Sequence, residues 1–335
     1  MKSTAVVILN WNGRKLLEQF LPTVIKHSPE AEIYVADNAS TDDSVSFLQT
    51  TFPEVKLILN KQNFGFAQGY NEALANVEEE YYVLLNSDVE VTEGWLEPII
   101  ELFEKDPETA IVQPKILDFK KKTHFEYAGA AGGFIDKYGY PFCRGRILDT
   151  IEPDNGQYDD ASEIFWASGA CFFVRREVYR SLGGFDTDFF AHQEEIDLCW
   201  RAFNHNYKAR FCSSSVVYHV GGATLSTGNP RKTYLNFRNS LLMLIKNVPA
   251  QKLPVVFFLR LCLDGLAGIN YIFHGKFGHT WAIVKAHFKV YSVFYKFVKK
   301  RESKQYKNYY KTKSIVYLYY ASNGRIFAEK FNNSL

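Results

Sequence analysis

The sequence predicts an α/β fold: a mostly parallel mixed sheet flanked by helices, followed by a helical, basic C-terminal extension. Three observations predict it. Short β-rich runs alternate with helically spaced segments through the first hundred residues, the sequence form of parallel strands joined by crossover helices. With 335 residues and 47% hydrophobic content, the chain can bury one large core. Charge is also split along the chain, with 26 Lys+Arg against 35 Asp+Glu up to Gly275 and 13 against 2 beyond it.

Four strands are expected at residues 5–9, 32–36, 55–59 and 81–85, each apolar, bounded by polar turn residues and too short for a helix. Helical spacing fills residues 13–26, 42–50 and 67–76, and a further helix is expected from Thr92 or Glu93, with Thr92 as its cap, to Lys105. Residues 110–174 are punctuated by glycine and read as strands and long loops facing a ligand. A helix at 193–206, a short strand at 215–220 and a helix at 231–246 ended by Pro249 follow.

Ligands of open parallel sheets gather at the carboxyl ends of the strands, so polar residues there are candidates. The first strand runs into Asn10-Trp11-Asn12-Gly13 and the second into Asp37-Asn38-Ala39-Ser40. Asp37 suits a pyrimidine N–H or ribose hydroxyls, and equally an Asx-turn. The run Asn63-Phe64-Gly65-Phe66-Ala67-Gln68-Gly69-Tyr70-Asn71 sets two glycines at a helix entrance, which allows close approach of backbone to a ligand. It matches neither G-x-G-x-x-G nor a Walker sequence. Asn86-Ser87-Asp88 after the fourth strand is either a turn or a source of one hard oxygen ligand. Mg²⁺ or Mn²⁺ held by one or two carboxylates and substrate phosphates would neutralise a diphosphate leaving group.

Further on, Trp166 offers an aromatic platform for a sugar ring, beside the small Ser168 and Gly169, although core packing is the commoner reason for such aromatics. The acidic run Glu194-Glu195-Ile196-Asp197 is either a solvated helix cap or a source of a general base. A carboxylate beside a like charge in a cleft has its pKa raised for that task, and Glu195 is the candidate. In Tyr218-His219-Val220-Gly221-Gly222, His219 is structural or completes a metal shell; Arg231, Lys232 and Arg238 suit a diphosphate.

The division expected is 1–248 for the catalytic domain and 249–335 for the extension. Residues 255–273 are apolar but interrupted by Arg260 and Asp264, which share a helical face and argue against a simple membrane crossing. Val284, Phe288, Tyr291, Tyr295 and Val298 form one helical stripe amid lysines, the pattern of an amphipathic helix lying on an anionic surface or packed on its own domain. Five scattered cysteines without a C-x-x-C pair suggest a reducing compartment, and the N-terminus lacks a secretory leader pattern, so the Asn38 and Asn332 sequons carry little weight. The expected location is cytoplasmic, peripheral on the inner face of the plasma membrane.

Taken in order, the runs Val7–Gly13, Asp37–Ser40, Asn63–Asn71, Leu84–Glu90, Trp166–Arg175, Gly183–Arg201 and Tyr218–Gly222 resemble family 2 glycosyltransferases of the GT-A (Rossmann-like) fold, in the style of bacterial rhamnosyltransferases. The resemblance implies an inverting enzyme that moves a sugar from a UDP- or dTDP-linked donor to a glycan or polyprenyl-linked acceptor hydroxyl, with a divalent metal cofactor. It implies that Asp37 contacts the base, that Asp88 is the last position of an Asp-x-Asp metal motif, and that His219 assists at the metal or diphosphate. Asn10, Asn12, Asn38, Asn63, Gly65, Asn71, Asn86, Ser87 and Arg238 then surround the nucleotide sugar; Trp166, Ser168, Gly169 and Asp197 form the sugar and acceptor pocket. The acidic pair Glu194-Glu195 supplies the base. Two departures stand out: Asn86 replaces the motif's first aspartate, and Glu195 replaces an aspartate.

A sugar nucleotidyltransferase would want a glycine-rich basic loop after the first strand, where only Gly13 occurs. A membrane-associated carbohydrate-binding or scaffold protein explains the tail but not the carboxylates at strand ends. No nucleic-acid partner is expected, although the basic tail alone permits one.

Overall fold

The computed structural model describes residues 3–221 and 228–331. Gly222 and the Asn332 sequon, both singled out in the sequence, lie outside the described residues. The strands are β1 Thr4–Asn10, β2 Ala31–Asp37, β3 Lys56–Leu59, β4 Tyr81–Asn86, β5 Val89–Val91, β6 Thr109–Asp118, β7 Gly133–Ile135, β8 Pro141–Cys143, β9 Arg146–Ile147, β10 Thr150–Ile151, β11 Glu163–Ile164, β12 Cys171–Arg175 and β13 Lys208–His219. The helices are α1 Arg14–Lys26, α2 Ser44–Thr51, α3 Gly65–Leu74, α4 Glu97–Lys105, α5 Arg176–Ser181, α6 Glu194–Asn204, α7 Pro230–Asn247, α8 Leu253–Phe273, α9 Phe277–Lys299, α10 Ile315–Tyr320 and α11 Phe327–Phe331.

The main sheet runs β11-β13-β6-β12-β4-β1-β2-β3, with β5 added against β13. Strands β4, β1, β2 and β3 are mutually parallel, as are β13 and β6, while β12, β5 and β11 run antiparallel to their neighbours. Both faces are covered, and alternate side chains divide between two cores. Val6, Ile8, Val83, Leu85, Cys171 and Phe173 join α1 and α4 through Leu17, Leu21, Ile99 and Phe103. Ala5, Val7, Tyr82, Leu84, Phe172 and Val174 join α3, α5, α6 and α7 through Tyr70, Val178, Ile196 and Leu241.

Two expectations are corrected. Thr92 does not cap a helix: its Oγ1 donates to Val216 O at 2.8 Å, β5 precedes it, and α4 begins only at Glu97, beyond Gly94 at φ +70°. The strand expected at 215–220 is the end of β13, which starts at Lys208 and is bulged between Cys212 and Val216.

The extension shares the second core. Val290, Phe297, Tyr309, Ile315, Tyr319, Phe327 and Phe331 belong to one cluster with the sheet residues, so no break in the core marks residue 248. Among the described residues, α8 is the one helix long and apolar enough to cross a membrane. Its Arg260 and Asp264 are buried and paired at 2.7 Å, and the guanidinium also donates to Tyr138 O and Ser240 Oγ at 3.0 and 2.7 Å. Tyr140 and His287 complete the contacts of Asp264. This network ties α8 to the domain; Phe258, Leu266, Ile269 and Phe273 remain exposed.

Candidate active site

The carboxyl ends of β1, β2 and β4 are in register, Asn10 beside Asp37 and Leu9 beside Asn86. Asp37 is buried; its Oδ2 accepts from Asn10 Nδ2 at 2.9 Å and Ser40 Oγ at 2.6 Å, and its Oδ1 from Ser40 N at 2.8 Å. The Asx-turn is thus formed, at the carboxyl end of β2. Asn12 Oδ1 accepts from Thr41 N at 2.7 Å, joining the two loops, and Asn10 Oδ1 is buried without a hydrogen-bond partner. Asn38 and Asn63 brace the entrance of α3: Asn38 Nδ2 donates to Asn63 Oδ1 and Gly65 O at 3.2 and 3.0 Å. Ser87 lies at the same strand ends, since a Cβ on Gly13 would lie 3.7 Å from its Oγ.

The Asn86-Ser87-Asp88 turn connects β4 to β5. Because β5 pairs with the end of β13, His219 opposite Val89, the turn is carried against the histidine. Val220 N donates to Asp88 O at 3.1 Å, and His219 Nε2 lies 3.2 Å from Asp88 Oδ1. Asn86 Nδ2 stands 3.5 Å from the same ring nitrogen. On the opposite edge of the ring, Nδ1 approaches Glu126 Oε2 at 3.4 Å, an ionic approach rather than an aligned hydrogen bond. Burial works to lower the His219 pKa, but Asp88 and Glu126 outweigh it and lift it to about 10.

Asp88 and His219 fit a divalent cation. Two ligands at about 2.1 Å from a metal and at right angles to one another are about 3 Å apart, close to the observed oxygen-to-nitrogen separation. Among the described residues there is no group of three or more His, Cys, Asp or Glu that could hold a metal ion. Substrate phosphates and water would supply the rest, as is usual for Mg²⁺.

The acidic pair follows a loop that packs on the entrance of α3, next to the strand ends. Asn86 N donates to Ala170 O at 3.0 Å; a Cβ on Gly169 would meet Phe66 at 3.1 Å; and Phe66 N donates to Phe190 O at 2.8 Å. Phe190, His192 and Gln193 have φ of 66°, 70° and 75°, strained values for side-chain-bearing residues, so this loop is held against its preference. It leads directly into α6. Glu194 is buried, Glu195 less so, and each has an Oε2 without a hydrogen-bond partner. Desolvation raises both carboxyl pKa values, with Glu195 adding repulsion at Glu194; Glu195 is lifted to about 7. Lys232 at the start of α7 acts on Glu126's side of the site and on His192, linking its two ends electrostatically.

Several sequence assignments take structural duties instead. Arg238 Nη2 donates to Asp188 O and Phe189 O at 3.0 and 2.8 Å, bracing the start of the strained loop. Asp197 is wholly buried between Arg201, Lys246 and Asn247, with contacts of 2.8, 2.9 and 2.8 Å, and does not line a pocket. Trp166 is buried with Nε1 donating to Phe134 O, its ring filling the space above Gly133, so it is core rather than platform. Ser168 is likewise buried, taking Ala170 N and giving its own N–H to Gln113. The open face of Gly65 is occupied by Phe190, and Asn71 holds Phe185 through both of its side-chain atoms. Glu126 had no place in the sequence reading; a single carboxylate in the apolar run Phe125-Glu126-Tyr127-Ala128 is the signal that marks it.

The sheet carries its polar cluster at the carboxyl ends of the parallel strands, where ligands of such α/β folds bind. The profile described as Glycosyl transferase family 2 matches residues 5–183, and the chain belongs to that family. It is 24% identical over 233 residues to N-acetylglucosaminyl-diphospho-decaprenol L-rhamnosyltransferase of Mycobacterium tuberculosis, covering 64% of this chain and 75% of that protein. It is 23% identical over 245 residues to the low-salt glycan biosynthesis hexosyltransferase Agl10 of Haloferax volcanii, covering 71% and 74%. Among solved structures, GalNAc-T7 with UDP, GalNAc and Mn²⁺ superposes with a TM-score of 0.62 at 16% identity, covering 88% of this chain and 58% of that one. Mannosyltransferase PcManGT of Pyrobaculum calidifontis, with GDP-Man and Mn²⁺, gives 0.52 at 17% identity, covering 89% and 83%. Family membership sets aside the nucleotidyltransferase and non-catalytic scaffold readings.

Proposed function

We propose that this glycosyltransferase moves a hexose or deoxyhexose from a UDP- or dTDP-linked donor, with inversion, onto a hydroxyl of a lipid-linked or cell-surface glycan. The observation that carries the reading is the Glu194-Glu195 pair: two carboxylates with raised pKa and unpartnered oxygens at the start of α6, entered from a loop whose Phe190 O accepts from Phe66 N and Ala67 N at the start of α3. Glu195, the more exposed, accepts the proton of the acceptor hydroxyl. The freed oxygen forms its bond to the anomeric carbon from the face opposite the leaving group, and the old C–O electron pair departs with the nucleoside diphosphate. Asp88 and His219 would hold Mg²⁺ or Mn²⁺, whose positive charge stabilises that leaving group. Asn10, Asp37 and Ser87 face the nucleotide. The mycobacterial relative named for a decaprenol-linked substrate supports a lipid-linked acceptor, and the exposed aromatic face of the extension supports attachment to an anionic membrane surface.

The test is to incubate purified protein with Mn²⁺ or Mg²⁺ and a panel of UDP-, dTDP- and GDP-sugars, following release of nucleoside diphosphate. Turnover of one donor, lost in Glu195→Gln, is expected. Release that survives Glu195→Gln together with Glu194→Gln would place the base elsewhere.

A further inference from the structure

We infer that Glu126 is a positioning residue of the candidate metal site: its carboxylate, 3.4 Å from His219 Nδ1, favours the proton on that nitrogen and so leaves Nε2 to face Asp88. This rests on the metal reading above. The two nitrogens of an imidazole point to opposite edges of the ring, and here each edge faces one carboxylate, Asp88 Oδ1 at 3.2 Å from Nε2 and Glu126 Oε2 at 3.4 Å from Nδ1. A histidine that ligates through one nitrogen commonly donates from the other to a carboxylate, which fixes tautomer and ring orientation and makes the ligating nitrogen more basic.

The surroundings are shaped for that carboxylate. Glu126 is buried, its backbone N donates to Ile116 O at 3.0 Å, and its Oε2 accepts from Ala128 N at 2.6 Å, so its direction is set by main-chain contacts. Two residues past the histidine, Gly221 lies at φ +69°, and a Cβ there would come within 2.8 Å of Glu126 Oε1. A side chain at 221 would displace the carboxylate. The long reach from residue 126 to 219 is closed because residues 124–126 fold back along the end of β6, Leu117 bridging Phe125, and β6 runs parallel to β13. The carboxylate is answered by the Ala128 N–H and the N–H edge of the ring, with the positive charge of Lys232 acting on it as well.

The role separates from a merely structural one through metal affinity and tautomer. Free Mn²⁺ is measured by electron paramagnetic resonance against wild type, Glu126→Ala and Glu126→Gln, each with UDP or dTDP. Glu126→Ala is expected to weaken Mn²⁺ binding roughly ten- to hundred-fold, the usual loss for such an outer partner. Glu126→Gln, whose amide oxygen still accepts from Nδ1, should recover part of it and remains informative if the alanine variant fails to fold. In ¹⁵N-histidine spectra of the Mg²⁺ and UDP complex, His219 should be protonated on Nδ1 in wild type and lose that single tautomer in Glu126→Ala. Unchanged affinity in both variants, with wild type binding Mn²⁺, overturns the role of Glu126 alone. A wild type that binds no Mn²⁺ with either nucleotide overturns the metal reading and this role together.

Discussion

His219 Nε2 and Asp88 Oδ1 stand 3.2 Å apart although 131 residues separate them, because the turn after β4 enters β5 and β5 pairs with the last residues of β13. With Asn86 in place of a second acidic residue, Asp88 is the carboxylate on this edge of the histidine. Asp88→Ala should therefore lower kcat/KM by roughly hundred- to thousand-fold, the scale of losing one group that stabilises developing charge. His219→Ala should also weaken Mn²⁺ binding. Steady-state rates and Mn²⁺ titration of the two variants check this, and full activity in Asp88→Ala would remove it from the site.

The acidic pair makes the rate depend on pH in a defined direction. Desolvation lifts Glu195 to about 7, and only its deprotonated form can accept a proton. The logarithm of kcat should thus rise with pH toward neutrality and level off above about 7, with an apparent pKa belonging to the coupled pair. Because burial and not the neighbouring carboxyl raises Glu195, and Glu194 is itself held protonated by burial, Glu194→Gln should leave that limb in place. A profile flat from pH 5 to pH 8 in wild type, a range spanning the raised value, would show that neither glutamate is the base.

The strands β1, β2 and β4 were legible because each is an apolar run ending in polar turn residues, and the order of those turns carried the site. β6 was not, since Gln113 and Lys115 interrupt it; inside the fold they are satisfied by Gly129 O and by Asp154 and Asp159. The same difficulty affects polar residues near the cleft. Asp197 and Arg238 look like ligand groups in the sequence, but whether an ionisable side chain meets solvent or an internal partner depends on helices α6 and α7 coming together. Glu126 was missed for the converse reason: its partner is remote in the chain.

Asp197 gives a prediction that separates folding from binding. It is fully buried, which works to raise its pKa, but Lys246 and Arg201 together outweigh that penalty and hold it below the usual carboxylate range. Asp197→Ala would leave two buried cations short of their partner and should destabilise the protein by about 3–5 kcal/mol. Urea unfolding measures this. An acceptor-binding role would instead raise the acceptor KM in a protein of unchanged stability.

The aromatic stripe Phe288, Tyr291 and Tyr295 faces outward, while Ala282, Ile283, Ala286, Val290 and Phe297 form the buried side of α9. Exposed Phe273, Phe277 and Trp281 continue this apolar surface around the α8–α9 connection, and Lys285, Lys289, Lys296 and Lys299 are exposed along α9. With Arg260 and Asp264 bound into the domain, α8 cannot enter a bilayer as a spanning helix without breaking that network. The extension should instead lie along the interface, its rings in the acyl boundary and its lysines among anionic headgroups. Wild type should sediment with phosphatidylglycerol vesicles and be released by salt, because exposed charge attraction is screened. Replacing Trp281 and Phe288 by serine should weaken sedimentation at every salt concentration, whereas replacing Lys285 and Lys289 by glutamine should reduce only its salt-sensitive part. Equal sedimentation with neutral phosphatidylcholine vesicles would exclude the electrostatic contribution, and no sedimentation with either lipid would exclude the surface.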